Sequence, residues 1–293
     1  MIQYVDRKSG VLCTEKVYGE KTLELLYGDG WASRLFSLTL LPLIAHLPFC
    51  SQMYGYVQKR AGSRGKIAPF IREYGINESE FAKRQFDSFN DFFIRKLRPE
   101  CRPIERDEDR LAMPADGRYL VFEKFNRFFV KGQEFFLSDF LQDSAMARRY
   151  SDGSMMIARL CPVDYHRFHF PCEGTALSAR LIKGPLYSVN PIALKRRVKI
   201  LSENKRMVTE LESERFGHIL YVEVGATSVG SIQQTYVPGR VRKGEEKGYF
   251  EFGGSCIVLL FEKGRVRFDE DLVRNTEKGL ETLCRFGEGF GGD

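Results

Sequence analysis

Three short stretches bring together side chains able to move protons or attack a carbonyl. Two of the four histidines lie in Cys161-Pro162-Val163-Asp164-Tyr165-His166-Arg167-Phe168-His169-Phe170-Pro171-Cys172. Cys161, His166, His169 and Cys172 are a ligand set that zinc accepts, although C-x4-H-x2-H-x2-C is not a common finger spacing. The two prolines suggest an extended segment whose alternate residues face opposite ways. Either histidine could instead act as a general acid or base, because an ordinary imidazole titrates near neutrality. Both could also be satisfied structural residues. The second stretch is Tyr249-Phe250-Glu251-Phe252-Gly253-Gly254-Ser255-Cys256-Ile257-Val258-Leu259-Leu260-Phe261, two apolar runs around a Gly-Gly-Ser corner. It reads as a β-bulge or tight turn, or as a bond that cuts itself, with Ser255 attacking the Gly254 carbonyl. A serine hydroxyl needs a neighbouring base for that attack. The third stretch, Met113-Pro114-Ala115-Asp116-Gly117-Arg118, puts a carboxylate at a Pro/Gly corner before a strand. Asp116 is there a turn former or the residue that orients an imidazole.

The elements that must position these groups follow from the rest of the chain. At 293 residues with 43% hydrophobic and 29% charged content, the composition is that of an ordinary folded protein. The 45 basic and 39 acidic residues are scattered, so the net charge of +6 suits an anionic surface without pointing to nucleic acid. Seven cysteines, an odd number without framework spacing, indicate reduced thiols on the cytosolic side. Met1–Lys8 lacks the apolar core of a signal peptide.

Residues 15–80 read as helical. Their most apolar run, Leu35–Cys50, carries two prolines and is shorter than the roughly 18–20 residues that cross a bilayer. Trp31 and Arg34 precede it, and Tyr54, Tyr56, Lys59, Arg60, Arg64 and Lys66 follow. That pattern fits a monotopic helix at headgroup level, or a helical hairpin packed on its own core. Ser88–Leu97 reads as a short capped helix, broken by Arg98–Pro103. From residue 104 strand patterns dominate: Tyr119–Val130, Met155–Leu160, Ala176–Ile182, Arg197–Leu201, Ile219–Val224, Ser228–Gln233, Tyr249–Phe252, Ile257–Phe261 and Val266–Phe268. Asp271–Thr282 reads as a last helix. The fold class expected is α+β: a mostly antiparallel β core in residues 104–293 with an N-terminal helical, membrane-associating region in residues 1–103.

Taken together, the motifs resemble one family. Pro114-Ala115-Asp116-Gly117, Asp164–Pro171, Val224–Ile232 and the glycine-serine corner occur in the order and at separations similar to those of phosphatidylserine decarboxylases. Supporting likenesses are Phe92-Phe93-Ile94-Arg95 with Arg102-Pro103, Val130-Lys131-Gly132 with Leu137, Tyr187-Ser188-Val189-Asn190, and Asn204-Lys205-Arg206. The resemblance runs over about residues 80–268, with a looser match upstream. It implies an antiparallel β core with membrane-touching helices, a self-processing triad of Asp116, His169 and Ser255, and a role for His166 in decarboxylation. Two departures stand out. Cys256 occupies a position usually serine or threonine, which opens a competing thiol nucleophile, and Lys205 replaces the commoner glutamate.

By that resemblance the chain is a proenzyme that cuts between Gly254 and Ser255. Residues 1–254 become the β chain and 255–293 the α chain, held together by strand pairing, and Ser255 becomes a covalent pyruvoyl cofactor. The substrate implied is phosphatidylserine, decarboxylated through a Schiff base to phosphatidylethanolamine. The partners implied are an anionic membrane surface on the cytosolic face, as at a bacterial inner membrane, the two chains of one precursor, and a second copy in a homodimer. No metal is expected. Competing readings are a pyruvoyl decarboxylase of a soluble amino acid, a non-catalytic membrane-docking protein of the same fold, and a serine hydrolase using the same three residues.

Overall fold

The computed structural model describes residues 2–19, 48–124, 128–130, 133–189, 200–226, 232–253 and 255–292. Most of the apolar run Leu35–Cys50, and Trp31, Arg34, Lys131, Gly132, Asn190, the centre of the Val224–Ile232 motif and Gly254 lie outside the described residues.

Two sheets carry the site. Their strands, in chain order, are β1 (Gln3–Asp6), β2 (Leu12–Thr14), β3 (Gly117–Phe122), β4 (Ser154–Leu160), β5 (Arg167–His169), β6 (Gly174–Ala176), β7 (Arg180–Ile182), β8 (Arg206–Ser213), β9 (Gly217–Gly225), β10 (Ile232–Gln234), β11 (Gly239–Val241), β12 (Glu246–Phe250), β13 (Ser255–Phe261) and β14 (Glu281–Cys284). The large sheet runs β11-β6-β8-β9-β13-β4-β3-β14-β1-β2, with β7 also paired to β8. Every pairing in it is antiparallel except β1 with β14. The small sheet is β10-β12-β5. The expected mostly antiparallel α+β core is therefore the observed one, and no described helix is long and apolar enough to cross a membrane.

β13 is the centre. All seven of its residues, Ser-Cys-Ile-Val-Leu-Leu-Phe, are buried, because β9 and β4 flank it and both faces of the sheet are covered. That explains a continuous apolar run where a half-exposed strand would alternate. Residues 256–261, from both faces of β13, pack into the main core, and Ser255 opens the strand on the face of Ile257 and Leu259 while Cys256 lies on the opposite one. There Cys256 pairs directly with Arg159, and Arg159 with Arg118.

Helices α1 (Pro48–Lys59), α2 (Ile67–Tyr74) and α3 (Phe89–Phe93) lie between β2 and β3, and α4 (Glu270–Glu277) lies between β13 and β14. α2 buries Ile67 and Phe70 and packs Ile71 and Tyr74, the stripe expected of an amphipathic helix. Gly75 ends it in the left-handed conformation, φ 63°, with its N–H donating to Ile71 O. Ser88 starts α3 by accepting from Asp91 N at 3.1 Å. These helices share an aromatic cluster of Phe70, Phe81, Phe86, Phe89, Phe92 and Phe93. Phe252, from the corner between β12 and β13, belongs to the same cluster.

Several boundaries differ from the sequence reading. Of the expected strand Arg197–Leu201 only Ile200 and Leu201 are among the described residues, and they begin the helical turn Ile200–Glu203, which buries both. A short apolar pair fits either period, and here the chain must turn to deliver Asn204. The Asn204 side chain accepts from Tyr187 N at 3.0 Å and donates to Gly225 O at 2.8 Å. Ala176–Ile182 splits into β6 and β7, both lying along β8 with a bend between them. The Tyr119–Val130 strand breaks after Phe122. α4 stops at Glu277, so that Glu281–Cys284 can enter the large sheet as β14. Ahead of the helical region, residues 3–14 form a hairpin on the edge of that sheet.

Candidate active site

The corner joining β12 to β13 crosses from the small sheet to the large one, so it is not a hairpin. Gly253 sits in it at φ 147°, where an L side chain is disfavoured. Ser255 emerges fully buried at the first position of β13, paired to Leu160 on one side and Gly225 on the other.

Among the described residues, the imidazole that meets Ser255 is His166: Ser255 Oγ lies 3.4 Å from His166 Nδ1. This is a stretched contact of the kind that tightens when a reaction complex forms. Its direction is set by the other ring nitrogen. His166 Nε2 lies 2.8 Å from Cys161 O, and a carbonyl can only accept, so Nε2 carries the proton and donates. Nδ1 is left with its lone pair toward the serine hydroxyl, the tautomer that a general base requires. Burial, with the positive charges of Arg95 and Arg118, pushes the His166 pKa down to about 3, so the ring is neutral at pH 7. Phe93 stacks on it, with ring centroids 3.8 Å apart and planes at 22°.

The turn that offers Cys161 O is itself clamped. Asp164 accepts from Cys161 N at 2.6 Å and from the Arg118 guanidinium. Arg95 Nη2 donates to Val163 O and Asp164 O at 3.0 and 3.1 Å. Arg118 and Arg159 share Glu15, which arrives from the N-terminal hairpin at 3.3 and 2.6 Å, and Arg159 also binds Glu281 at 2.5 Å. Burial raises the Glu15 pKa, but the two arginines outweigh it and hold the carboxyl below its ordinary value.

His169 and Asp116 lie elsewhere in the same neighbourhood. His169 Nδ1 donates to Gly244 O at 3.0 Å, which leaves Nε2 to accept from Tyr165 Oη at 3.2 Å. Both nitrogens are thus engaged, and neither partner is Ser255 or Asp116. Burial lowers the His169 pKa to about 4. Asp116 accepts two nitrogens of Arg102, at 2.7 and 2.9 Å, and Phe286 N at 2.8 Å. It makes no hydrogen bond to His169 among the described residues but acts on it through space, its charge favouring the protonated ring, and Phe286, whose N it holds, stacks on that imidazole at 3.7 Å. A cleft of about 940 Å³ opens beside this pair, walled in part by Arg98, Arg102, Tyr165, Lys243 and Phe286. Neither Ser255 nor His166 lines it.

The structure therefore brings His166 to Ser255 and keeps the Asp116–His169 pair one layer away. It does not gather the four candidate zinc residues: among the described residues no three His, Cys, Asp or Glu side chains are placed to share a metal ion. Cys256 points to the face of β13 opposite Ser255. Its side chain faces Arg159 across the sheet, and burial raises its thiol to about 12. Sequence reasoning missed Phe93, Arg95, Arg118 and Asp164 as parts of the site. Phe93 and Arg95 had been noted only as motif members, and Arg118 follows the Asp116 corner directly, one residue past Gly117.

A buried ion pair completes the surroundings. The β12 ladder is irregular between Glu246 and Gly248, and Lys247, at that bulge, sends its side chain inward. Its Nζ meets Glu223 at 2.5 Å and Gln234 at 2.7 Å, amid the rings of Phe168, Phe170, Tyr221 and Tyr236.

In comparison with known proteins, residues 89–292 match the family model described as phosphatidylserine decarboxylase. A phosphatidylserine decarboxylase proenzyme of Chlamydia felis (strain Fe/C-56) is 47% identical over 296 residues, covering 99% of this chain and 97% of that relative. The protein of the same description from Chlamydia pneumoniae is 44% identical over 295 residues, covering 99% and 96%.

Proposed function

The chain belongs to the phosphatidylserine decarboxylase family, and from that premise we propose that it is a proenzyme that cuts itself at Gly254–Ser255 and then decarboxylates phosphatidylserine to phosphatidylethanolamine. The observation that carries the proposal is the lone pair of His166 Nδ1 facing a buried serine hydroxyl. His166 takes the Ser255 proton, the Oγ–C bond to Gly254 forms, and the peptide C–N bond breaks as the residue 255 nitrogen takes a proton, leaving an ester. Loss of the Ser255 Cα proton and of the Cβ–O bond then frees the Gly254 carboxylate and leaves dehydroalanine. Water enters, ammonia leaves, and a pyruvoyl group caps the downstream chain.

Residue 255 suits that group. It is fully buried, anchored by pairing on both sides, and adjacent to a neutral imidazole. A pyruvoyl group there supplies the carbonyl that binds the substrate amine and draws off the electron pair freed as carbon dioxide leaves. His166 Nδ1, beside residue 255, would take a proton from the substrate ammonium and pass it to the vacated carbon. Phe93 and Phe252, packed edge to face at 4.9 Å, exclude water from one side. In this reading Asp116 and His169 are positioning residues, acting through Phe286, Tyr165 and Gly244.

The cut chains stay together because β13 is hydrogen-bonded to β4 and β9, and β14 to β3 and β1, all upstream of the cut. The 255–293 piece is too short to hold a core of its own. Peripheral attachment to an anionic membrane is supported by α1, where Met53, Tyr56 and Val57 are exposed beside Lys59 and Arg60. Intact mass spectrometry of the purified protein tests the whole reading. It should find fragments of residues 1–254 and 255–293, the smaller one blocked, and Ser255→Ala should stay whole and inactive. A single uncut mass in an active wild-type preparation would overturn it.

A further inference from the structure

The backbone on either side of the proposed cut is held by more than its strands. β12 ends at Phe250 and β13 begins at Ser255, and between them Glu251, Phe252 and Gly253 belong to neither strand. Phe250 N donates to His166 O at 2.9 Å, which fixes the entry to the corner on the catalytic loop. The exit is fixed by Ser255 itself. Midway, the buried Phe252 N–H donates to a side chain from outside both strands.

That partner is Asn90. Its side chain is buried, and Oδ1 accepts from Phe252 N at 3.0 Å. Asn90 lies on α3, and α3 is tied to the other half of the site by independent contacts. Phe93 stacks on His166, Arg167 Nε donates to Ile94 O at 2.8 Å, and Arg95 holds the carbonyls of Val163 and Asp164. At its start, Phe89 N donates to Ser63 Oγ at 2.8 Å, joining it to the preceding helical segment. One five-residue helix thus grips both the base and the segment to be cut.

We propose that Asn90 is a positioning residue for self-cleavage: by holding Phe252 N it sets the path of the corner, so that the bond after residue 254 meets Ser255 while α3 holds His166 in place. This rests on self-cleavage at that bond. The physical reason is the steepness of proximity effects, since a misplacement of about 1 Å costs on the order of 10²-fold in rate. Once the bond is broken there is no scissile carbonyl left to align, and Phe252 stays in place through its packing in the aromatic cluster. The effect of Asn90 therefore falls on processing and not on turnover by the cut enzyme.

The test follows newly made full-length chains on denaturing gels over time, for wild type, Ser255→Ala, Asn90→Leu, Asn90→Ser and Asn90→Asp. Leucine fills the space without an acceptor, serine is too short to reach, and aspartate keeps an oxygen in place. Asn90→Leu and Asn90→Ser should process roughly 10- to 100-fold more slowly, Asn90→Asp should recover most of that loss, and activity per cut chain should be unchanged. Processing of both the Leu and Ser variants at the wild-type rate would overturn the inference. So would an equal loss in processing and in activity per cut chain, or failure of Asp to rescue. A wild-type chain that never cuts would instead refute the self-cleavage reading on which the inference rests.

Discussion

Replacing His166 by asparagine separates the two histidines that the sequence places three residues apart. Asparagine keeps a polar group beneath Phe93 but cannot take a proton from Ser255. A positioned general base contributes roughly 10²–10⁴ in rate, which at about 1.36 kcal/mol per decade is some 3–5 kcal/mol of barrier. His166→Asn should slow self-cleavage by at least about 10²-fold. His169→Asn, which forfeits the bonds to Gly244 O and Tyr165 without touching Ser255, should slow it by less than about tenfold, a loss of alignment alone. The pH profile sharpens the comparison. With a pKa pushed down to about 3, His166 is already neutral throughout the range from pH 5 to 8, so wild-type processing should be flat there. The assay is cell-free synthesis, acid quench and densitometry of cut against uncut chain. A rate falling with a midpoint near 6.5, or a larger loss in His169→Asn than in His166→Asn, would remove His166 from the role of base.

Two further outcomes follow from the buried charges. Glu15→Gln leaves Arg118 and Arg159 short of one partner in a site where Glu15 is 5% exposed, and should destabilise the uncut Ser255→Ala chain by roughly 3–5 kcal/mol in urea unfolding; a change below about 1 kcal/mol would show that the hairpin carboxylate is dispensable. His166 and His169 have folded pKa values of about 3 and 4, below the unfolded value of 6.5, so the unfolded chain binds the extra protons as pH falls. Stability should therefore drop on acidification from about pH 6.5 toward 4, the pair contributing up to roughly 2.7 kcal/mol per pH unit, and unfolding of the His166→Asn, His169→Asn double variant should lose that part of the slope.

Much of the architecture was legible in local pattern. The break in composition after Arg98–Pro103, the alternating apolar runs and the continuous run of β13 depend on neighbours in sequence, and they place a helical stretch before an antiparallel core. The reactive corner was legible too, since glycines beside a serine between two apolar runs restrict what the backbone can do. The expected strand failed at Ile200 and Leu201 because a short apolar pair has no period, and only the need to bring Asn204 to Tyr187 and Gly225 selects a helical turn there.

Residue types marked Asp116, His166, His169 and Ser255 as candidates, and the family resemblance supplied the roles expected of them. Which histidine meets the serine was beyond the reach of sequence. His166 and His169 differ by three positions on a segment that passes from a loop into β5, so their directions depend on where that loop is clamped. The clamp comes from Asp164, Arg118 and Arg95. The tautomer depends on one carbonyl, that of Cys161, and the depressed pKa on burial beneath Phe93. Likewise, nothing near Asn90 in the sequence links it to Phe252, 162 positions away. Local chemistry chose the groups, because reactivity belongs to a side chain; their pairing was left to the packed fold, because a hydrogen bond needs two groups within about 3 Å in space, whatever their separation along the chain.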